Sequence, residues 1–218
     1  MTKIRVLICD DHTILREGIR MLLNSQVDMQ VVGEAMDGRD AIEKTRSLKP
    51  DVILMDIAMP LLNGLEATKQ IRRDDPNARV LVLTMYESDE YVAQMLEAGA
   101  TGYVLKKVAG SELVSAIHAV YQGEAFLYPS ITKRLVEDYL RRIETGQERT
   151  TLDTLTDRER EILQLIAEGH TSKEIADLLS LSVRTVQNHR AHIMQKLGIH
   201  DRGDLIKYAI QKGIIELS

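Results

Sequence analysis

Ile4-Arg-Val-Leu-Ile-Cys-Asp-Asp11 and Val52-Ile-Leu-Met-Asp56 share one pattern, a short and nearly unbroken apolar run that stops at carboxylates. Runs of this length, dense in Val, Ile and Leu, belong to strands buried on both faces. Working outward, Gln30–Ala35, Val80–Leu83 and Tyr103–Leu105 read as further strands. Amphipathic stretches of helical length separate them, at Thr13–Leu23, Arg39–Leu48, Leu65–Arg73, Ser88–Ala98 and Ser111–Gln122. On the first of these, Ile14, Ile19, Leu22 and Leu23 are expected to share a face. Strict alternation of five strands and five helices predicts a parallel sheet covered on both sides. With right-handed crossovers, the size and count predict a flavodoxin-like doubly wound α/β sheet of five strands, in the order 2-1-3-4-5.

At 218 residues the chain is too long for one small domain and suits two. Its 44% hydrophobic and 28% charged residues are ordinary for a globular protein, so disorder is not the default. No apolar run reaches the length of a membrane span, and carboxylates by position 11 argue against a signal peptide. The single cysteine, Cys9, rules out an internal disulfide or a Cys-based zinc cluster and suits the cytoplasm. It lies inside an apolar strand and is expected to pack, not react. The net charge of −5 resides in residues 1–125, with 14 Lys/Arg against 19 Asp/Glu. Residues 152–218 carry 9 against 10, so any nucleic-acid site must be a local stripe.

Ligands of an open parallel sheet bind beyond the carboxyl ends of its strands. Those ends hold Asp10 and Asp11, Asp56, Thr84 and Lys106. Because the first and third strands are neighbours in the expected order, three carboxylates should converge, and they need a cation. An all-oxygen set favours Mg²⁺ over Zn²⁺. The Thr84 hydroxyl and the Lys106 ammonium complete a cradle for a phosphoryl group, in which Asp56 is the candidate nucleophile. Met59-Pro60 and Asn63-Gly64 read as a turn shaping the adjacent loop.

Asp10-Asp11, Asp56-Ile-Ala-Met-Pro60, Thr84 and Tyr103-Val-Leu-Lys106 together resemble the receiver domain of two-component response regulators, over about residues 3–122. The resemblance implies Asp56 as phosphoacceptor. It implies Asp11, Asp56 and the backbone carbonyl of Ala58 as Mg²⁺ ligands, with Asp10 acting mostly through bound water. Thr84 and Tyr103 would form the switch pair. Lys107 stands where many receivers have proline.

The second half contains no strand-like alternation. Residues 123–151 read as a linker with one helical candidate, Ser130–Ile143, followed by the polar run Glu144–Thr151. Four short helices are expected in 152–218. Thr156-Asp-Arg-Glu159 and Thr171-Ser-Lys-Glu174 fit the capping box that starts a helix, and Ser182–Leu197 and Asp201–Gln211 are the remaining candidates. Ser182–Leu197 carries Arg184, Arg190 and Lys196 and no Asp or Glu, with Gln187, Asn188 and Ala191 on one side. A carboxylate-free helix of this kind suits the major groove of DNA.

Leu155-Thr-Asp-Arg-Glu-Arg-Glu161, Thr171-Ser-Lys-Glu-Ile-Ala176, Thr185-Val-Gln-Asn-His189 and Lys196-Leu-Gly198 resemble the LuxR-type helix-turn-helix domain. Receiver plus this tail is the layout of the NarL/FixJ class. Gln187, Asn188 and Ala191 are expected to face bases. Thr171, Lys173, Ser182, Arg184, Thr185, His192 and Lys196 are expected along the DNA backbone, and His189 in the core. The resemblance assigns Leu205, Ile206, Ala209 and Ile210 on the last helix to a dimer contact. The whole then reads as a cytoplasmic regulator phosphorylated by a sensor histidine kinase, homodimeric when phosphorylated, on promoter DNA. Three rivals are disfavoured. An aspartyl phosphohydrolase typically carries a second Asp where Ala58 stands. A phosphorylation-independent DNA binder would not need the intact acidic set. A protein-binding tail would not need a helix stripped of acids. No G-x-G-x-x-G follows the first strand to suggest a dinucleotide site.

Overall fold

The computed structural model describes residues 2–85, 89–107, 110–127, 132, 155–212, 214 and 215. The chain divides into two compact units, Met1–Gly146 and Gln147–Ser218. Most of the helical candidate at 130–143, and all of the polar run 144–151, lies outside the described residues.

In the first unit the strands are β1 (Ile4–Cys9), β2 (Met29–Ala35), β3 (Val52–Asp56), β4 (Val80–Thr84), β5 (Gly102–Leu105) and β6 (Phe126–Leu127). The helices are α1 (Thr13–Asn24), α2 (Gly38–Leu48), α3 (Gly64–Asp74), α4 (Asp89–Glu97) and α5 (Gly110–Tyr121). All pairings are parallel, and the order is β2-β1-β3-β4-β5-β6.

The doubly wound sheet is as expected, but it has six strands where five were read. The sixth, Phe126–Leu127, falls in the segment taken as linker. Two residues are too few to show a period. They become a strand only because β5 offers an open edge, along which Gly102 pairs with Phe126 and Tyr103 with Leu127.

Alternate residues of the central strands feed opposite faces. Ile4, Val6, Ile8, Val52, Leu54, Leu81, Leu83 and Val104 pack with Leu113, Ile117 and Val120 of α5 and Ile19 and Leu23 of α1. Leu7, Cys9, Ile53 and Met55 pack with Ala41 and Ile42 of α2 and Ala67 and Ile71 of α3. Each such side chain contributes roughly 1.5–3 kcal/mol on burial. Ile14 does not join Ile19 on the inner face and is 87% exposed. Five residues turn a helix by roughly 140° beyond a full turn, so one inner stripe cannot take both. Asp37 caps α2 by accepting from the amides of Arg39 and Asp40, and Asn63 caps α3 by accepting from Glu66. Asn63-Gly64 is therefore a helix start as well as a bend.

The second unit holds α6 (Asp157–Ala167), α7 (Ser172–Leu179), α8 (Val183–Leu197) and α9 (Arg202–Gln211). Thr156 with Glu159, and Thr171 with Glu174, form reciprocal capping boxes. α7 ends at Ser180, in left-handed backbone (φ 53°), and α8 starts after its cap, Ser182. Leu155, Ile162, Leu163, Ile166, Ile175, Ala176, Leu179, Val186, Ile193, Leu205 and Ala209 are buried in this unit. Val183 is 40% exposed, because it is the first helical residue, beside the turn.

Candidate functional site

Four strand ends build the first site. Asp10 follows β1 and is 1% exposed; Asp56 closes β3 and is 2% exposed. Thr84 closes β4, also buried, and its carbonyl accepts the backbone N–H of Lys106 (2.7 Å), tying the ends of β4 and β5 together. The Lys106 side chain reaches back under the mouth. Its Nζ donates to Asp56 Oδ2 at 2.7 Å and stands 2.9 Å from Asp10 Oδ2. Burial pulls the lysine's pKa down, but the Asp56 charge and the bonds to Asp56 and Asp10 outweigh it, so it is held above its ordinary value. A lysine this buried persists only because two carboxylates pair with it.

Asp11 is exposed. One ligand atom each from Asp10, Asp11, His12 and Asp56 lies within 4.8 Å of all the others, the spread expected of groups able to share one cation. Asp10 Oδ2 is buried and faces Lys106 Nζ at 2.9 Å, while Asp10 Oδ1 accepts the His12 backbone N–H at 2.8 Å. This donor set, rich in carboxylate oxygen and open on the Asp11 side, fits a hard divalent cation such as Mg²⁺. Ala58 lies two residues beyond Asp56 in the loop toward α3 and is buried. That loop is pinned by Gly64, whose N–H donates to Ile57 O at 2.8 Å.

Tyr103 is fully buried among Ile57, Val82, Val92, Met95 and Leu105, with Leu127 of β6 packed on the same cluster. Its ring is therefore turned inward. Cys9 is buried, and burial, reinforced by nearby Asp40, pushes its thiol pKa far up, which leaves it unreactive.

Two contributors were not singled out from the sequence. His12 directs Nδ1 at Asp11 Oδ1 (2.8 Å) and Asp10 Oδ1 (3.2 Å). Arg16, one turn into α1 and buried, donates from Nη1 to the Asp10 carbonyl (2.8 Å) and from Nε to Glu34 Oε2 (2.9 Å). The available signal was position: His12 occupies a helix N-cap, where Ser, Thr, Asp or Asn is usual.

In the second unit, Lys173, Arg184, Gln187, Asn188, Ala191 and His192 are exposed, and His189 is half-buried. The Thr171 hydroxyl is committed to its capping box, and Ser182 Oγ accepts from Thr185 N (3.0 Å) and contacts Thr185 Oγ1 (2.8 Å). Lys196 is committed inside the domain, because its Nζ meets Glu159 Oε2 at 2.7 Å, joining the end of α8 to the start of α6. Burial raises the Glu159 pKa, but Lys196 and the Thr156 bonds outweigh it, so the carboxyl lies below its ordinary value. Of the residues assigned to a dimer contact, Leu205 and Ala209 are buried against the domain's own core, and Ile206 and Ile210 are half-buried.

Residues 6–118 match the response regulator receiver domain family, and residues 153–209 match the luxR family of bacterial regulatory proteins. The oxygen regulatory protein NreC of Staphylococcus carnosus is 41% identical over 217 residues, covering 97% of this chain and 99% of the relative. The RcsB response regulator of Salmonella typhimurium, in a structure concerned with conformational dynamism for DNA interaction, has a TM-score of 0.65 and 31% identity over 97% of this chain and 99% of the other. A structure of two RcsB dimers bound to two parallel DNAs has a TM-score of 0.58 and 30% identity, covering 95% of this chain and 98% of the other. Among the described residues no helix is long and apolar enough to cross a membrane.

Proposed function

Given that the chain belongs to the response regulators, with a receiver and a LuxR-type DNA-binding domain, we propose that a sensor histidine kinase phosphorylates Asp56 and thereby controls binding of the second domain to promoter DNA. Such a protein is a regulator, not a metabolic enzyme, and its only catalysis is on itself. The domain division that accompanies this reading is 1–122, 123–151 and 152–218, and its setting is the cytoplasm.

In the transfer, the Asp56 carboxylate attacks the phosphorus of a phosphohistidine. The P–N bond breaks, the imidazole nitrogen keeps the electron pair and takes up a proton, and an aspartyl phosphate forms. Held by Asp11, Asp56 and the Ala58 carbonyl, with Asp10 behind a water, Mg²⁺ would neutralise charge on the phosphoryl oxygens. Lys106 already lies against Asp56 and needs only a short swing of Nζ to pair with a phosphoryl oxygen. The Thr84 hydroxyl, on the neighbouring strand end, is the second donor, and its movement bears on Tyr103. Inverting a two-state receiver from mostly off to mostly on takes about 5 kcal/mol of differential stabilisation, within reach of a dianion newly paired with lysine and a cation.

The observation that carries this reading is the buried Asp56–Lys106–Asp10 arrangement at the carboxyl edge of the sheet. In the DNA-binding domain, exposed Gln187, Asn188 and Ala191 face bases, with Lys173, Arg184 and His192 on phosphates. The N-terminal turns of α7 and α8, capped by Thr171 and by Ser182 with Thr185, present backbone N–H groups toward the DNA strand. Phosphorylation releases the DNA-binding domain or pairs two copies of it. The RcsB dimers on DNA support a homodimer, for which Ile206 and Ile210 keep accessible surface on α9.

Incubation with a small phosphodonor and Mg²⁺ tests the reading. The wild type should gain about 80 Da and tighten its hold on selected DNA. Asp56→Asn should do neither, and a wild type that gains no mass refutes the proposal.

A further inference from the structure

His12 is an anomaly of local structure. It sits at the N-cap of α1 in extended backbone, yet its side chain makes no cap hydrogen bond. The imidazole turns instead toward the mouth of the sheet. Nδ1 lies 2.8 Å from Asp11 Oδ1 and 3.2 Å from Asp10 Oδ1. Two ligands at adjacent corners of an octahedron with bonds of about 2.1 Å are about 3 Å apart, so the separation of Nδ1 from Asp11 Oδ1 suits an edge around one shared ion.

The turn that carries the ring is held firmly. The His12 backbone N–H donates to Asp10 Oδ1 at 2.8 Å, Arg16 N–H donates to His12 O at 3.0 Å, and the Arg16 guanidinium holds the Asp10 carbonyl. Beside the ring, Asp10 Oδ2 is buried and paired with Lys106 Nζ at 2.9 Å, which fixes the carboxylate that the His12 turn leans on.

Resting on the divalent-ion reading of this pocket given above, we infer that His12 supplies an imidazole ligand to it and biases it toward a first-row transition ion such as Mn²⁺ over Mg²⁺. Mg²⁺ takes oxygen ligands and retains water, gaining little from a nitrogen donor. First-row transition ions gain from imidazole. A neutral imidazole offers the Nδ1 lone pair to the ion and leaves Nε2–H to solvent.

The probe is one equivalent of Mn²⁺ on the untagged full chain, read by electron spin-echo modulation from directly bound ¹⁴N and by competition titration with Mg²⁺. The wild type should show nitrogen coupling, and His12→Gln should not. The preference for Mn²⁺ over Mg²⁺ should fall about tenfold in the variant, with its Mg²⁺ affinity little changed. Mn²⁺ bound without nitrogen coupling, or coupling that survives in His12→Gln, overturns the inference while leaving the divalent-ion reading intact. Failure of the wild type to bind either ion overturns both.

Discussion

The loop that carries Asp56 into α3 admits no side chain at residue 64. A Cβ added to Gly64 would lie 1.8 Å from the Asp56 carbonyl oxygen and 2.9 Å from its carbonyl carbon, against the 3.0 Å that real contacts respect. Both are backbone atoms of a central strand and cannot swing aside. In Gly64→Ala the start of α3 must therefore retreat by more than about 1 Å, breaking the bond from Gly64 N to Ile57 O. That bond is worth about 1 kcal/mol net, and the overpacking adds roughly 1–3 kcal/mol. About 3 kcal/mol in a unit of this size corresponds to a melting temperature lower by about 10 °C.

Gly18→Ala is the matched control. Gly18 lies inside α1 with nothing within 4 Å of the added methyl. The same chemical change there should stabilise by roughly 0.5–1 kcal/mol, through the lower entropy of the unfolded chain. Calorimetry on the full chain measures both variants, and amide exchange over residues 52–57 and 64–74 assigns the transition. Phosphorylation of Asp56 by a small donor should slow in Gly64→Ala and not in Gly18→Ala. A Gly64→Ala melting point within about 2 °C of wild type would refute the argument from close approach.

Further outcomes follow from other contacts. Lys106→Met leaves buried Asp10 and Asp56 without their counter-charge and should cost roughly 3 kcal/mol, a loss that Mg²⁺ partly restores, so added Mg²⁺ raises the melting point of the variant more than that of wild type; equal shifts would count against Lys106 as the resident counter-ion. Because the Glu159 pKa is lowered on folding, its stabilisation is complete above its ordinary value of 4.5 and disappears as pH falls through the folded value. Acid titration of melting should accordingly be flatter in Glu159→Gln than in wild type. Arg184→Ala should shallow the dependence of log K on log salt for DNA by about one unit, whereas Lys196→Ala, whose ammonium pairs with Glu159, should lower the stability of the second domain and change that slope less. Asn188→Ala should relax preference at one base position by about 1–3 kcal/mol, read from binding to a panel of single-base variants.

The order of apolar runs and amphipathic stretches was sufficient to specify the parallel sheet, because burial on both faces leaves a periodicity that local sequence carries. It also placed Asp10, Asp11, Asp56, Thr84 and Lys106 at one edge, since each directly follows or closes a strand and parallel strands all point the same way. Both capping boxes were legible for the same reason, since each is complete within four residues.

The individual side-chain pairings over long range were not legible. Phe126–Leu127 is a strand by virtue of β5 alone, and Ile14 is turned outward by a helical phase that only docking of α1 settles. Lys196 meets Glu159 across 37 positions, and Leu205 and Ala209 are absorbed into the core of the second domain. Lys106 reaches a carboxylate 50 positions away. Periodicity reports which residues avoid water. Which charge neutralises which is chosen by distance in space, and that exists only once the strands and helices have packed.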